Sequence, residues 1–306
     1  MFFSILIPAY KQQYLRECID SILSQTFTDY EVVVVDDCSP EDIGTVIKRY
    51  NDHRIRYYRN DKNCGAIDVV DNWNNCLKYA KGDYVICIGD DDKLLPNCLA
   101  DYSNLISKYP DLRAYHGWTE TIDENSDFKD ITASRIEKES VYSLIWNRWN
   151  SRNQQFIGDF VFDRKKLLEK GGFYKLPMAW ASDDITAVIM AEEKGIANTS
   201  TIVFQYRVSF STISSKGGYK IKMDAIREEK EWFQEFLKKE PKDEVDRKYK
   251  LAIERCFDRH FEKKYAMYIT RDIKERRMRF FYWLRNKNAY NLRSSLIIYS
   301  LIMSFK

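Results

Sequence analysis

Short apolar runs and amphipathic stretches alternate over the first hundred residues. Residues 4–8 form an apolar run ending at Pro8, which predicts a strand. Leu15, Cys18, Ile19, Ile22 and Leu23 recur at helical spacing and predict a helix over 14–24. Residues 30–36 hold four consecutive valines, the pattern of a strand buried on both faces of a parallel sheet. Ser39-Pro40-Glu41-Asp42 predicts a helix start, with Ser39 as cap, Pro40 at the first helical position and acids in the first turn. A third strand over 55–59, a third helix over 66–80 and a fourth strand over 84–88 continue the rhythm. This alternation predicts an α/β fold with a doubly wound parallel sheet.

Beyond residue 110 the alternation loosens. A strand is predicted over 113–118, a polar turn region over 123–130 and a helix over 141–149. A strand over 156–162 runs into a helix over 164–170, followed by a turn at Gly171-Gly172-Phe173, a helix over 183–194 and a strand over 201–206. From Tyr219 the pattern is helical and charged. The expected organisation is one α/β domain over 1–217, divided into halves 1–110 and 111–217, and a helical extension over 218–306.

Ligands of doubly wound sheets bind beyond the carboxyl ends of the strands. Three predicted strand ends carry Pro8-Ala9-Tyr10, Asp36-Asp37 and Asp90-Asp91-Asp92. Three adjacent aspartates repel one another, and a hard divalent ion such as Mg²⁺ or Mn²⁺ relieves that while bridging to substrate phosphates. The same residues also fit a solvated acidic turn, and on spacing alone the two readings stand level. No glycine-rich phosphate loop follows a strand, which argues against nicotinamide enzymes and P-loop ATPases. A phospho-accepting receiver is disfavoured because the third strand ends in Arg59-Asn60-Asp61, with no lone aspartate.

The order and spacing of several blocks resemble the family 2 glycosyltransferases of the GT-A fold. These are Ser4-Ile5-Leu6-Ile7-Pro8-Ala9-Tyr10, Ser21 to Phe27, Glu31 to Ser39, Asn72-Trp73-Asn74, Lys81-Gly82-Asp83-Tyr84, Gly89-Asp90-Asp91-Asp92 and Pro96. The resemblance covers about residues 3–215 and implies a GT-A (Rossmann-like), mostly parallel twisted sheet with flanking helices. It also implies an inverting transferase that uses a nucleotide-sugar, usually UDP-linked, with a divalent metal. Carried over by position, Pro8, Ala9, Tyr10, Asp37, Asn74 and Asp90 would contact the donor, and Asp91 would ligate the metal. Asp92 is a third acid without an assigned role. Gly171-Gly172-Phe173 followed by Asp183-Asp184 resembles the family's acceptor-side block, which makes this pair catalytic and Asp184 the general base. Three positions depart from the family pattern: Gly89 replaces an acid, Trp73 an arginine, and Ser209 a histidine that often binds metal. The departures leave a second reading, a catalytically silent sugar-nucleotide-binding subunit of a glycan-assembly complex.

Composition adds a compartment and a partner. The seven cysteines form no metal-ligand spacing, and the three histidines (His53, His116, His260) are dispersed. The opening residues read as a strand rather than a signal peptide, and no run reaches the roughly 20 apolar residues of a membrane span. A cytoplasmic protein is expected. Residues 242–306 carry 17 Lys/Arg against 8 Asp/Glu, although the whole chain has a net charge of only +3. The basic, aromatic stretch 271–306 fits an amphipathic segment on the inner face of an anionic membrane, where a lipid-linked saccharide acceptor would reside. It equally fits a helical subdomain packed on the body or on a partner. Nucleic acid is not an expected partner, because no recognition module accompanies the basic tract.

Overall fold

The computed structural model describes residues 1–208 and 218–306. The chain separates into two compact units: Met1–Lys175 with the stretch from Ser182 onward, and Leu176–Ala181 with the C-terminal stretch to Lys306.

The first unit is built on one mixed sheet. Its opening elements are β1 (Phe3–Ala9), α1 (Leu15–Leu23), β2 (Tyr30–Asp36), α2 (Ile43–Ile47), β3 (Ile55–Arg59), α3 (Val69–Tyr79) and β4 (Tyr84–Cys87). Then follow β5 (Lys93–Leu94), α4 (Cys98–Lys108), β6 (Ala114–Ile122), β7 (Phe128–Ile131), β8 (Lys138–Glu139) and α5 (Val141–Trp149). Strand β9 (Phe160–Asp163), α6 (Arg164–Glu169), α7 (Ser182–Ala191) and β10 (Ile196–Arg207) complete it. The strand order is β3-β2-β1-β4-β9-β6-β10-β5, with β7 beside β6 and β8 beside β10.

The half β3-β2-β1-β4 is parallel, and Pro8 and Ala9 register with Val35 and Asp36. From β9 onward most pairs are antiparallel, although β6 and β10 pair in parallel from Tyr115–Ala197 to Ile122–Arg207, so the sheet is mixed beyond β4. Every residue of β2 is buried, as its valine run predicts. The buried side of α1 is Leu15, Cys18, Ile19 and Ile22, the expected apolar stripe.

The start of α2 differs from expectation. Asp42, not Ser39, caps it, accepting from the Thr45 N–H at 3.0 Å. Ser39 instead donates its hydroxyl to the Tyr10 carbonyl and so ties the end of β1 to the loop after β2. All seven cysteines are free thiols, and Cys18, Cys76, Cys87 and Cys98 are buried.

The second unit is helical: α8 (Tyr219–Phe236), α9 (Glu244–Glu275), α10 (Arg279–Asn286) and α11 (Ser294–Met303). Asp243 caps α9 by accepting from the Asp246 N–H at 2.9 Å, and Glu244 and Asp246 favour the positive end of the helix dipole. Trp283 is fully buried and donates its indole N–H to Asp272 at 2.8 Å, while Arg279 donates to the same carboxylate oxygen at 2.7 Å.

Candidate active site

The carboxyl ends of β1, β2 and β4 converge. The Asp37 N–H donates to the Ala9 carbonyl at 2.9 Å, continuing the β1–β2 ladder past its last registered pair. The Asp37 carboxylate accepts from the Asn60 side chain at 2.8 Å and from the Cys64 N–H at 3.0 and 3.1 Å. Asp36 turns the other way. It is buried beneath Tyr57 and Arg59 and accepts from the Ser39 N–H at 2.7 Å, so it holds the loop in shape. Tyr10 leaves its ring 43% exposed at the end of β1, where a planar base could stack.

The acidic turn after β4 divides its tasks. Asp90 Oδ2 accepts from the N–H groups of Tyr10 and Lys11, each at 2.7 Å, which knits β4 to the end of β1. Burial, with help from the Asp91 charge, pushes its carboxyl up to about 6. Asp92 is buried and accepts from the Arg207 N–H at 2.9 Å, and burial raises its carboxyl well above the usual range. Asp91 lies between them, partly exposed, its carboxyl also raised by burial. A Cβ on Gly89 would stand 2.9 Å from Asp92 Oδ2 and 3.0 Å from Asp91 Oδ1. The missing side chain at 89 is therefore the room in which these carboxylates lie.

Among the described residues, no group of three or more His, Cys, Asp or Glu side chains is arranged to hold a metal ion. Of the three carboxylates, Asp92 is buried against Arg207 and Asp90 is bonded to the end of β1, which leaves Asp91 as the acid whose carboxylate a hard cation could meet. Ser209, the departure at the family's histidine position, lies outside the described residues.

Arg207, the last residue of β10, is the part of the site that sequence reading missed. Its side chain has no exposed surface. Nε donates to the Asp91 carbonyl at 2.8 Å, Nη1 to the Asp123 carbonyl and Ser126 Oγ at 3.0 Å, and Nη2 to Glu17 at 3.0 Å. The guanidinium lies 4.0 Å above the Tyr14 ring. One side chain thus joins α1, the acidic turn and the β6–β7 turn. A charged residue closing an otherwise uncharged strand was the available signal.

The acceptor-side acids open α7. Asp184 is buried, and its Oδ1 accepts from Gln155 Nε2 at 2.6 Å and Arg148 Nε at 2.8 Å. Arg135 donates to Gln155 Oε1 at 3.2 Å, which fixes the orientation of that amide because a guanidinium can only donate. Asp183 accepts from the Asp184 N–H at 2.9 Å, and burial together with the Asp184 charge pushes its carboxyl up to about 7.

Asn74 has a structural task. Its carboxamide accepts from the Phe173 N–H at 2.8 Å and donates to the Phe173 carbonyl at 3.0 Å. Both ends of the amide engage the Gly172-Phe173 turn. Gly172 has φ +89°, and a Cβ there would lie 2.3 Å from the Asn74 oxygen, so the close approach depends on the glycine. Asn74 staples the fold at this turn.

Tyr206 links the two acidic groups. Its ring stacks on Phe156 at 3.8 Å, and its phenol is held neutral by burial and by the charges of Asp92, Asp91 and Asp183. The acidic turn and the α7 acids therefore act on one side chain.

Residues 4–172, more than half of the chain, match the model of glycosyl transferase family 2. The chain belongs to that family. This glycosyltransferase is 38% identical over 100 residues to the putative colanic acid biosynthesis glycosyl transferase WcaA of Escherichia coli, covering 32% of this chain and 35% of that one. It is 32% identical over 176 residues to the GalNAc(5)-diNAcBac-PP-undecaprenol beta-1,3-glucosyltransferase of Campylobacter jejuni, covering 56% and 54%. These matches span about a third to about a half of the relatives' own lengths. The fold of the glycosyltransferase is that of S. aureus TarS in its complex with UDP-GlcNAc. The TM-score is 0.60 at 17% identity, over 89% of this chain and 73% of that one. No helix among the described residues is long and apolar enough to cross a membrane.

Proposed function

We propose that the protein moves a sugar, with inversion, from a UDP-sugar to a saccharide carried on a lipid, in the synthesis of a bacterial surface polysaccharide or glycolipid. The observation that carries this reading is that two short stretches in contact hold the two acid groups: Gln155 bonds to Asp184, its neighbour Phe156 stacks on Tyr206, and the next residue, Arg207, bonds to Asp92 and to the Asp91 carbonyl. Donor and acceptor groups so placed can act on one anomeric carbon. The TarS complex with UDP-GlcNAc supports the donor class, and the Campylobacter relative's name supports the acceptor class.

In this reading Tyr10 stacks on the uracil and Asp37 accepts from its ring N–H. Pro8 and Ala9 form the floor beneath. Asp90 acts by holding the Tyr10–Lys11 backbone open to the nucleotide. A divalent ion, Mn²⁺ or Mg²⁺, held by Asp91 would neutralise charge on the departing diphosphate. Asp184 removes the proton from the acceptor hydroxyl. The acceptor oxygen bonds to the anomeric carbon on the face opposite the diphosphate. The bond from that carbon to the phosphate oxygen breaks, and its electron pair leaves with UDP. Arg148 and Gln155 orient the Asp184 carboxylate and favour its ionised form. A lipid-carried acceptor would place the protein at the inner face of a bilayer.

Calorimetric titration of UDP with and without Mn²⁺, on wild type and Asp91→Ala, tests the donor site. Metal-dependent binding that disappears in the variant is expected. UDP, GDP, CDP and dTDP all failing to bind would instead leave the acidic strand ends as structural features of a silent relative.

A further inference from the structure

The C-terminal helices present an outward face that is both apolar and free of acid. Helix α11 has no charged residue, yet Ile298 is 48% exposed and Ile302 59%, with Phe305 just beyond it at 70%. These three recur at i, i+4 and i+7, on one side of the helix, while Ile297, Ser300 and Ser304 are buried on the other. A helix surrounded by water ordinarily turns polar residues outward. At the start of α10, Met278 is 75% exposed and Phe281 54%. The two helices are stitched together there, because the Arg277 guanidinium lies 4.0 Å over the Phe305 ring and donates to Ser304.

The stretch that forms this face carries charge of one sign, and Glu262 of the neighbouring α9 is paired with its Arg293. Residues 276–306 contain seven Lys or Arg and no Asp or Glu. Arg276, Arg285 and Lys306 are exposed. The nearest preceding acids in the chain are engaged: Asp272 is buried with Arg279 and Trp283, and Glu275 accepts from the Tyr219 hydroxyl. A second copy of this face would bring like charge against it, which disfavours self-pairing and favours an extended anionic partner. Helix α11 has ten residues, about 15 Å, or half the hydrocarbon thickness of a bilayer, so it can lie on a membrane but not cross it.

We propose that the α10–α11 face docks the protein on an anionic phospholipid bilayer. Phe281, Ile298, Ile302 and Phe305 enter the acyl boundary, and Arg276, Arg285 and Lys306 meet the headgroups. The inference deepens the lipid-carrier reading of the acceptor, on which it rests for its purpose.

The test is co-sedimentation of the full chain with vesicles of phosphatidylcholine alone or mixed with phosphatidylglycerol, alongside a UDP titration. Binding at least about tenfold stronger to the mixed vesicles is expected, and high salt should remove most of it. Ile302→Asp with Phe305→Asp should abolish binding while the helical circular dichroism stays at the wild-type level. Arg276→Glu with Arg285→Glu, both at exposed positions, should do the same and carries the test alone if the first variant unfolds. Equal binding to both vesicle types, or none, overturns the proposal. So does a dimer in sedimentation velocity that the apolar-face variant dissolves, since the face would then belong to a second copy. UDP affinity should be the same in every variant. Vesicle binding lost with UDP binding kept fails the docking face alone, and the converse fails the donor reading alone.

Discussion

The Arg207 N–H reaches Asp92 Oδ1 at 2.9 Å while the same residue's Nε reaches the Asp91 carbonyl at 2.8 Å. The end of β10 therefore sets both the position and the direction of the acidic turn. Arg207→Ala would leave the Asp91 and Asp123 carbonyls without this donor, whereas the half-exposed Glu17 keeps its bond from Ser126. A loss of about 3 kcal/mol in urea unfolding is expected, as for leaving two buried acceptors unpaired. Arg207→Lys, which keeps the charge but cannot fork, should retain more stability yet still weaken Mn²⁺-dependent UDP binding. Unchanged UDP affinity in the lysine variant would deny Arg207 any role in shaping the turn.

Placing at position 89 the acid that the family pattern implies should harm this protein. The Gly89→Asp side chain must begin within 3.0 Å of two carboxylate oxygens, and Asp92 cannot swing away without losing the Arg207 N–H. Added negative charge beside Asp91 and Asp92 compounds the conflict. Weaker Mn²⁺-dependent UDP binding and a lower melting temperature are expected. Tighter metal binding by this variant would show that the turn opens freely.

Asp184→Asn should lower turnover of a UDP-sugar by about 10² to 10⁴ while leaving UDP affinity unchanged, the signature of a lost general base. Gln155→Leu removes one of the two hydrogen bonds described to Asp184 Oδ1 and should cost about tenfold. Steady-state kinetics with paired calorimetry separate the two effects. If Asp184→Asn loses UDP binding as well, the α7 acids are part of the donor pocket.

Asp183 predicts a pH dependence of stability. Its carboxyl is pushed up to about 7 in the folded protein, against about 3.9 in an unfolded chain. Between those values the folded state binds the extra proton, so stability should fall as pH rises from about 4 to about 7 and then level off. Asp183→Asn should flatten that slope. Thermal melts across this range would show it, and an identical slope in the variant would mean that Asp183 titrates normally.

Much of the site was legible because strand ends are legible. Apolar runs that stop at Pro8, Asp36 and Ile88 locate the carboxyl edge of the sheet, and the residues that follow them are those that converge. The helix begins at Ile43 rather than at Pro40, so Asp42 is the cap, while Ser39 Oγ accepts from the Glu41 N–H and donates to the Tyr10 carbonyl, a contact 29 residues away in sequence. The structural task of Asn74 is likewise set by a distant contact. A polar residue inside a recurring block invites a ligand, but its partner is Phe173, 99 positions further on. Arg207, Gln155 and Arg148 act through tertiary contacts that no local spacing announces. The charge of the tail was visible from composition, whereas the bare stripe on α11 required knowing which side of the helix is buried.

The hexapeptide Leu176–Ala181 groups with the helical unit although the chain on both sides of it belongs to the sheet unit. Within that unit the Trp180 ring meets Tyr268 edge-on at 5.2 Å. Met178, Ala179 and Ala181 all hold positive φ, between 53° and 60°, at a cost of about 1 kcal/mol or more each. The chain therefore visits the helical unit briefly before committing to it, and it returns directly into Ser182-Asp183-Asp184. The boundary between the units is therefore not a single cut in the sequence. A chimera joined at a single point after β10 would graft a foreign tail onto an orphaned tryptophan loop, which precedes in sequence the acids proposed as catalytic. Relatives built this way should show the hexapeptide and the tail changing in step.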